Sequence, residues 1–191
     1  LAEYTLSRKD PDYVGRAKAV DAMEKARLAN PADPELVARA RALFALCGLD
    51  IMQGAADLRN VGIGSTIFAV KPGDGSAREQ AASCQKVLGG WANLAVEYAT
   101  KRYRSNLINW GMLPFITDAD LAATLKVGDW LAVPNVRKAV QNAEPTILAY
   151  VVREDGSAEQ IALTLKDLTD DERQIILDGC LINFYNSTRK Q

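Results

Sequence analysis

The chain has 191 residues, 48% of them hydrophobic and 25% charged, with a formal net charge of -1 and a sequence pI of about 5.6. These values fit one soluble folded domain, and they lack the dense basic surface that phosphate-backbone binding requires. The count of histidines is 0, which excludes Ser-His-Asp and Cys-His catalysis, histidine metal sites and zinc deaminase chemistry.

In chain order, residues 11 to 29 read as a helix. Pro11 follows Asp10, and Val14, Ala17, Val20, Met23 and Leu28 recur at helical spacing until Asn30-Pro31 stops it. A second helix is predicted over Pro34 to Leu46, with Asp33 as N-cap and Gly48 as its stop. The two form a helical hairpin beside the main fold. Thr66 to Val70 has the β-branched and aromatic content of a buried strand. Lys71 to Gly75 is a turn with two glycines, and Ser76 with Glu79 fits a capping box opening a helix that Gly89-Gly90 ends. Leu94 to Tyr98 is a further strand and 102 to 110 a short helix, while Gly111 to Phe115 leads into a loop. Asp129 to Val133 is a short strand. Thr146 to Glu154 and Ala158 to Leu165 flank Asp155-Gly156, a hairpin signal, and Thr169 caps a last helix to about Gly179. The class is mixed α/β, a sheet or irregular barrel with helices around it.

Cys47, Cys84 and Cys180 are widely spaced, without any Cys-x-x-Cys pair, so no metal site is expected in this chain. They read as buried small hydrophobes of a protein in a reducing, cytoplasmic setting. Apolar runs such as Ile147 to Val152 are too short to span a bilayer, so no membrane partner is expected. The first residue is Leu1 rather than methionine, which points to a chain cut from something longer or lacking its first residues.

The most informative local feature is the glycine turn into Ser76 and Arg78. A strand, a glycine turn and a helix start aim backbone N–H groups at one point, and the helix dipole adds partial positive charge. Arg78 adds a planar fork suited to a carboxylate or phosphate. The pattern reads as an anion pocket beside a serine hydroxyl. Ser76 and Glu79 as a plain helix cap, with Arg78 as a solvated surface charge, accounts for the same residues.

Gly75-Ser76-Ala77-Arg78-Glu79-Gln80-Ala81-Ala82 resembles the Gly-Ser-Ser-Arg-Glu-His-Ala-Ala motif of the aconitase family. Arg104-Ser105-Asn106-Leu107-Ile108-Asn109-Trp110-Gly111-Met112-Leu113-Pro114-Phe115 is similar to a second motif of that family, and Asp171 to Asn183 to its closing helix. With a weaker likeness around Glu3-Tyr4 and Asp10 to Ala17, the matches follow the family order over about 1 to 18 and 61 to 187. The resemblance implies a single swivelling β/β/α domain of aconitase C-terminal type over residues 1–191, with a helical insertion at about 19–60. It implies an aconitase-like hydro-lyase that dehydrates and rehydrates a hydroxy-polycarboxylic acid such as citrate. Its partners would be the cluster-bearing domains of the same longer chain and a small tricarboxylate. A 4Fe-4S cluster would be bound outside this chain. Ser76 would be the base, Arg78 would bind a substrate carboxylate, and Gly75 and Ala77 would line the substrate site. Ala77 replaces the second motif serine and Gln80 the motif histidine. Two other assignments stay open: a swivel domain of isopropylmalate or homoaconitate isomerase type, and an inactive tricarboxylate-binding module. Arg104, Ser105 and Asn106 are expected to be structural, holding the loop and helix start.

Overall fold

A computed structural model describes residues 1–50 and 57–189. After a single 3-10 turn, Ala2–Tyr4, the chain forms helices α1 (Tyr13–Ala29) and α2 (Pro34–Leu46). Asp33 caps α2 as its sequence requires, its carboxylate accepting from the N–H groups of Glu35 at 3.1 Å and Leu36 at 3.0 Å. The expected insertion boundary at residue 19 falls within α1, and residues 51–56 of that insertion lie outside the described residues.

A buried ion pair fastens these helices to the rest. Arg27 reaches both oxygens of Glu24, at 2.7 Å each, and also donates to the Leu58 carbonyl at 2.9 Å. The Ile63 N–H completes the set by donating to Glu24 Oε2 at 2.9 Å. Leu58 is fully buried and its side chain packs on Val37 of α2. One short segment thus binds α1 through charge and α2 through apolar contact. Tyr13 and Ala17 of α1 bury against Leu88.

The body holds two three-stranded sheets. In the first, β1 (Ser65–Ala69), β2 (Gly90–Ala95) and β3 (Leu113–Ile116) run parallel in that order. Their crossovers are α3 (Arg78–Val87) and α4 (Lys101–Asn109). The second sheet follows α5 (Ala119–Thr124). It is antiparallel: β4 (Trp130–Ala132), then β5 (Ile147–Val152) and β6 (Ala158–Leu163), with α6 (Val136–Gln141) between β4 and β5. Helices α7 (Asp170–Asp178) and α8 (Leu181–Thr188) follow. The main core lies between the sheets. Leu94 and Phe115 meet Ile147, Ala149, Val151, Ile161 and Leu163 there. Ile116 and Thr164 exchange backbone bonds of 2.9 and 3.0 Å, tying one sheet to the other.

Several expectations are corrected. The strand read at Leu94 to Tyr98 is β2, four residues earlier in its start: Gly89, at φ +81°, turns the chain in one step, and Gly90 already pairs with Ser65. Gly111 to Phe115, expected only to lead into a loop, holds the first three residues of β3. Pro114 hides it in the sequence, because proline is tolerated in a strand such as this one, at the edge of its sheet. Gly111, at φ +66°, is obligatory, since a Cβ there would lie 1.9 Å from the Gly179 carbonyl oxygen. The short helices α5, α6 and α8 give too little periodicity to read. The three cysteines are half-buried rather than buried: Cys47 and Cys180 sit at helix ends and Cys84 on α3.

Removing one partner of the Glu24–Arg27 pair leaves a buried charge unpaired. Arg27→Ala is therefore expected to cost about 3 kcal/mol in urea unfolding, whereas replacing both residues by methionine costs far less. A second prediction concerns Tyr13, whose phenol burial raises from 10.0 to about 12, an effect the neighbouring Ser65 hydroxyl partly offsets. The fold holds the protonated form, so this contribution is intact below pH 10 and is lost as pH rises through about 12. Tyr13→Phe should flatten that alkaline loss in circular dichroism.

Candidate active site

The sequence after β1 is held residue by residue by the sequence after β2. The Val70 carbonyl accepts from the N–H groups of Val96 and Glu97, both at 3.1 Å, and the Pro72 carbonyl from Ala99 N–H at 2.9 Å. The Gly73 carbonyl accepts from the Thr100 hydroxyl at 3.0 Å. Gly73 has φ +97°, and a Cβ on it would lie 2.4 Å from Cβ of Tyr103, so the backbone passes directly over that side chain. Tyr103 is buried, and its hydroxyl accepts from Gln85 Nε2 at 2.9 Å and Asn93 Nδ2 at 2.8 Å. Burial raises its phenol above the ordinary value, and the two amides oppose that shift. The turn thus rests on a polar cluster drawn from α3, β2 and α4.

Beyond Gly73 the chain is released. Asp74, Gly75, Ser76 and Ala77 are all exposed. The expected capping box is absent: α3 begins at Arg78, and the cap position belongs to Ala77, which has no side chain to accept a hydrogen bond. Ser76 lies one residue too early to cap. Glu79 instead accepts from the Trp110 indole N–H at 3.0 Å, an interaction across to the end of α4. The first-turn N–H groups of α3 consequently lack any side-chain cap. Arg78 folds back so that Nε donates to the Gly75 carbonyl at 2.8 Å. Among the described residues no carboxylate forms an ion pair with Arg78, and Ser76 Oγ has no hydrogen-bond partner. A Cβ on Gly75 would meet nothing within 4 Å, so no contact inside the chain requires glycine there.

The structure therefore brings Gly75, Ser76, Ala77 and Arg78 together on one exposed corner, at the carboxyl end of a parallel strand, where ligands of α/β sheets commonly bind. Two cavities lie elsewhere. One of about 490 Å³ is lined by Leu43, Leu46, Val127 and Trp130, and one of about 280 Å³ by Val140, Pro145, Leu165 and Arg173. Neither reaches Gly75–Arg78, and the uncapped helix start makes the exposed corner the better candidate. Arg104 is turned to structural use: it donates to the Lys166 carbonyl and lies 3.9 Å from Glu172 at the start of α7. The supporting residues Thr100, Tyr103, Gln85 and Asn93 escaped sequence reading. Thr100 carried the one usable signal, a threonine in front of a helical run.

Among the described residues, no three His, Cys, Asp or Glu side chains gather to hold a metal ion, so these residues do not fit an iron–sulfur cluster. No helix among them is long and apolar enough to cross a membrane.

Residues 48–120 match the family described as the aconitase C-terminal domain. The aconitate hydratase A of Rickettsia bellii is 28% identical over 137 residues, which is 70% of this chain but 15% of that protein. The chain thus spans a small part of the length of this relative. Among solved structures, the crystal structure of 3-isopropylmalate dehydratase from Methanocaldococcus jannaschii aligns with a TM-score of 0.46 and 28% identity, over 75% of this chain and 74% of that one.

Tyr103→Phe leaves the Gln85 and Asn93 amides facing each other without a hydroxyl between them. A loss of about 1–3 kcal/mol in denaturant unfolding is expected; an unchanged midpoint would mean that the cluster contributes nothing net.

Proposed function

Because this chain carries an aconitase-family C-terminal domain, we propose that it completes the active site of a hydro-lyase acting on a hydroxy-tricarboxylic acid such as citrate. In this reading Ser76 removes the carbon-bound proton, and Arg78 holds a substrate carboxylate through its two terminal nitrogens. Gly75 and Ala77 leave room for the substrate against the backbone. The rest of the site, including the iron–sulfur cluster, belongs to other domains of a longer cytoplasmic protein, over which this domain closes. Residues of about 19–60 are an insertion that carries the later part of α1 and all of α2.

The observation that carries the proposal is the start of α3. A helix start with no side-chain cap, an exposed serine and an arginine anchored only through Nε lie within three residues of one another. Partial positive charge at the helix start favours an anion, and the forked guanidinium fits a carboxylate. Closure against a second surface would exclude water and strengthen both effects, which lowers the cost of a serine alkoxide. The openness of the corner suits a half-site of this kind.

One observation favours a second reading, an inactive tricarboxylate-binding module. Ala77 stands where the family motif has its second serine, so one hydroxyl is missing. An isopropylmalate-type substrate is the remaining alternative, separated by substrate preference.

In the full-length protein, Ser76→Ala is expected to lower kcat on the preferred substrate by about 100-fold or more while citrate binding persists. Arg78→Lys should raise KM about tenfold, because lysine lacks the planar fork. Parent-like turnover in the Ser76→Ala protein would exclude Ser76 as the base. Tight citrate binding without turnover in the parent would favour the inactive module.

A further inference from the structure

Resting on the proposed roles of Ser76 and Arg78, we propose that Thr100 is the positioning residue of the site: its hydroxyl fixes where the Gly75–Arg78 corner sits. Of the carbonyls that the β1 loop presents to its neighbour, those of Val70 and Pro72 are held by backbone N–H groups, which almost any residue supplies. The Gly73 carbonyl, the last before the exposed corner, is held by a side chain, the hydroxyl of Thr100 at 3.0 Å. The same oxygen accepts from the Tyr103 N–H at 3.3 Å, so it also caps α4. A hydroxyl has one proton to give and lone pairs to receive, and both capacities are used here.

Two features make this bond decisive for the corner. Gly73 lies at φ +97°, a conformation that glycine adopts freely and its own missing side chain does nothing to fix. Ser76 is three residues further on, and the next closure is internal, Arg78 Nε to the Gly75 carbonyl at 2.8 Å. The corner is thus a small closed unit whose pivot is Gly73, and Thr100 is what stops the pivot. Thr100 touches no reacting atom. It acts through the backbone.

The dual use of the hydroxyl separates positioning from mere helix capping. Thr100→Asp keeps the cap, since aspartate is among the best N-cap residues, but it cannot donate to the Gly73 carbonyl. Thr100→Val loses both, and Thr100→Ser keeps both. In the full-length protein we expect Thr100→Asp, which keeps the cap, to melt above Thr100→Val, yet to lose about tenfold or more in kcat/KM, chiefly in kcat. Thr100→Val should lose both turnover and stability, and Thr100→Ser should restore parent behaviour. Amide exchange of residues 73 to 78, followed by mass spectrometry, should be faster with aspartate or valine and unchanged with serine. Parent-like kcat and KM in Thr100→Asp, in a protein that Ser76→Ala inactivates, would overturn this inference and leave the function standing. If Ser76→Ala retains turnover, the function falls instead, and amide exchange decides: exchange unchanged by Thr100→Asp would overturn the positioning role as well.

Discussion

Carbonyls that leave a parallel strand must find donors, and in this chain the donors for β1 come from the segment directly after β2. Val70, Pro72 and Gly73 accept in turn from Val96 with Glu97, from Ala99 and from Thr100. This ladder carries the pairing of β1 and β2 past the sheet itself. It sets the height at which the loop leaves for α3, and it delivers the chain at Thr100 into α4. Both crossovers of the parallel sheet thus start from one set of hydrogen bonds. Tyr103 backs the arrangement from within, with the Gly73 backbone over its side chain and the amides of Gln85 and Asn93 on its hydroxyl.

Past the ladder, the chain changes in kind. From Asp74 to Ala77 the backbone is exposed, and the side chains make few bonds inside the chain. A serine, an arginine and an uncapped helix start are placed on a hydrogen-bonded base and left exposed. Such a corner is poorly explained as a stability device, because a capping residue at Ala77 would stabilise α3 by about 1 kcal/mol. It is well explained as one face of a site that another surface completes. In the proposed function the division of labour is chemical: a base and a carboxylate-holding arginine on this domain, with the remaining groups supplied by other domains.

Much of this architecture was legible in the sequence. Asp33 before Pro34 fixed the start of α2, Asp155-Gly156 marked the β5–β6 hairpin, and the motif around Ser76 located the candidate site. The misreadings share a cause: side chains whose partners lie far along the chain. Glu79 reads as the partner of Ser76 at capping-box spacing, yet Trp110 takes it from 31 positions away. Pro114 reads as a loop residue until β3 is seen to be an edge strand. Thr100 escaped reading altogether, because its bond to Gly73 exists only when the two loops are side by side. The Glu24–Arg27 pair went unread, because its burial depends on Leu58 and Ile63, 31 and 39 positions away.

Turnover by the unaltered full-length protein is the most direct test of whether this corner completes a hydratase. Purified without oxygen and offered citrate or isocitrate, the protein should produce the ultraviolet absorbance of a conjugated double bond, and that signal should vanish when the cluster is oxidised. A protein with an intact cluster signal that binds these acids but forms no double bond from them, or from isopropylmalate, would contradict that role.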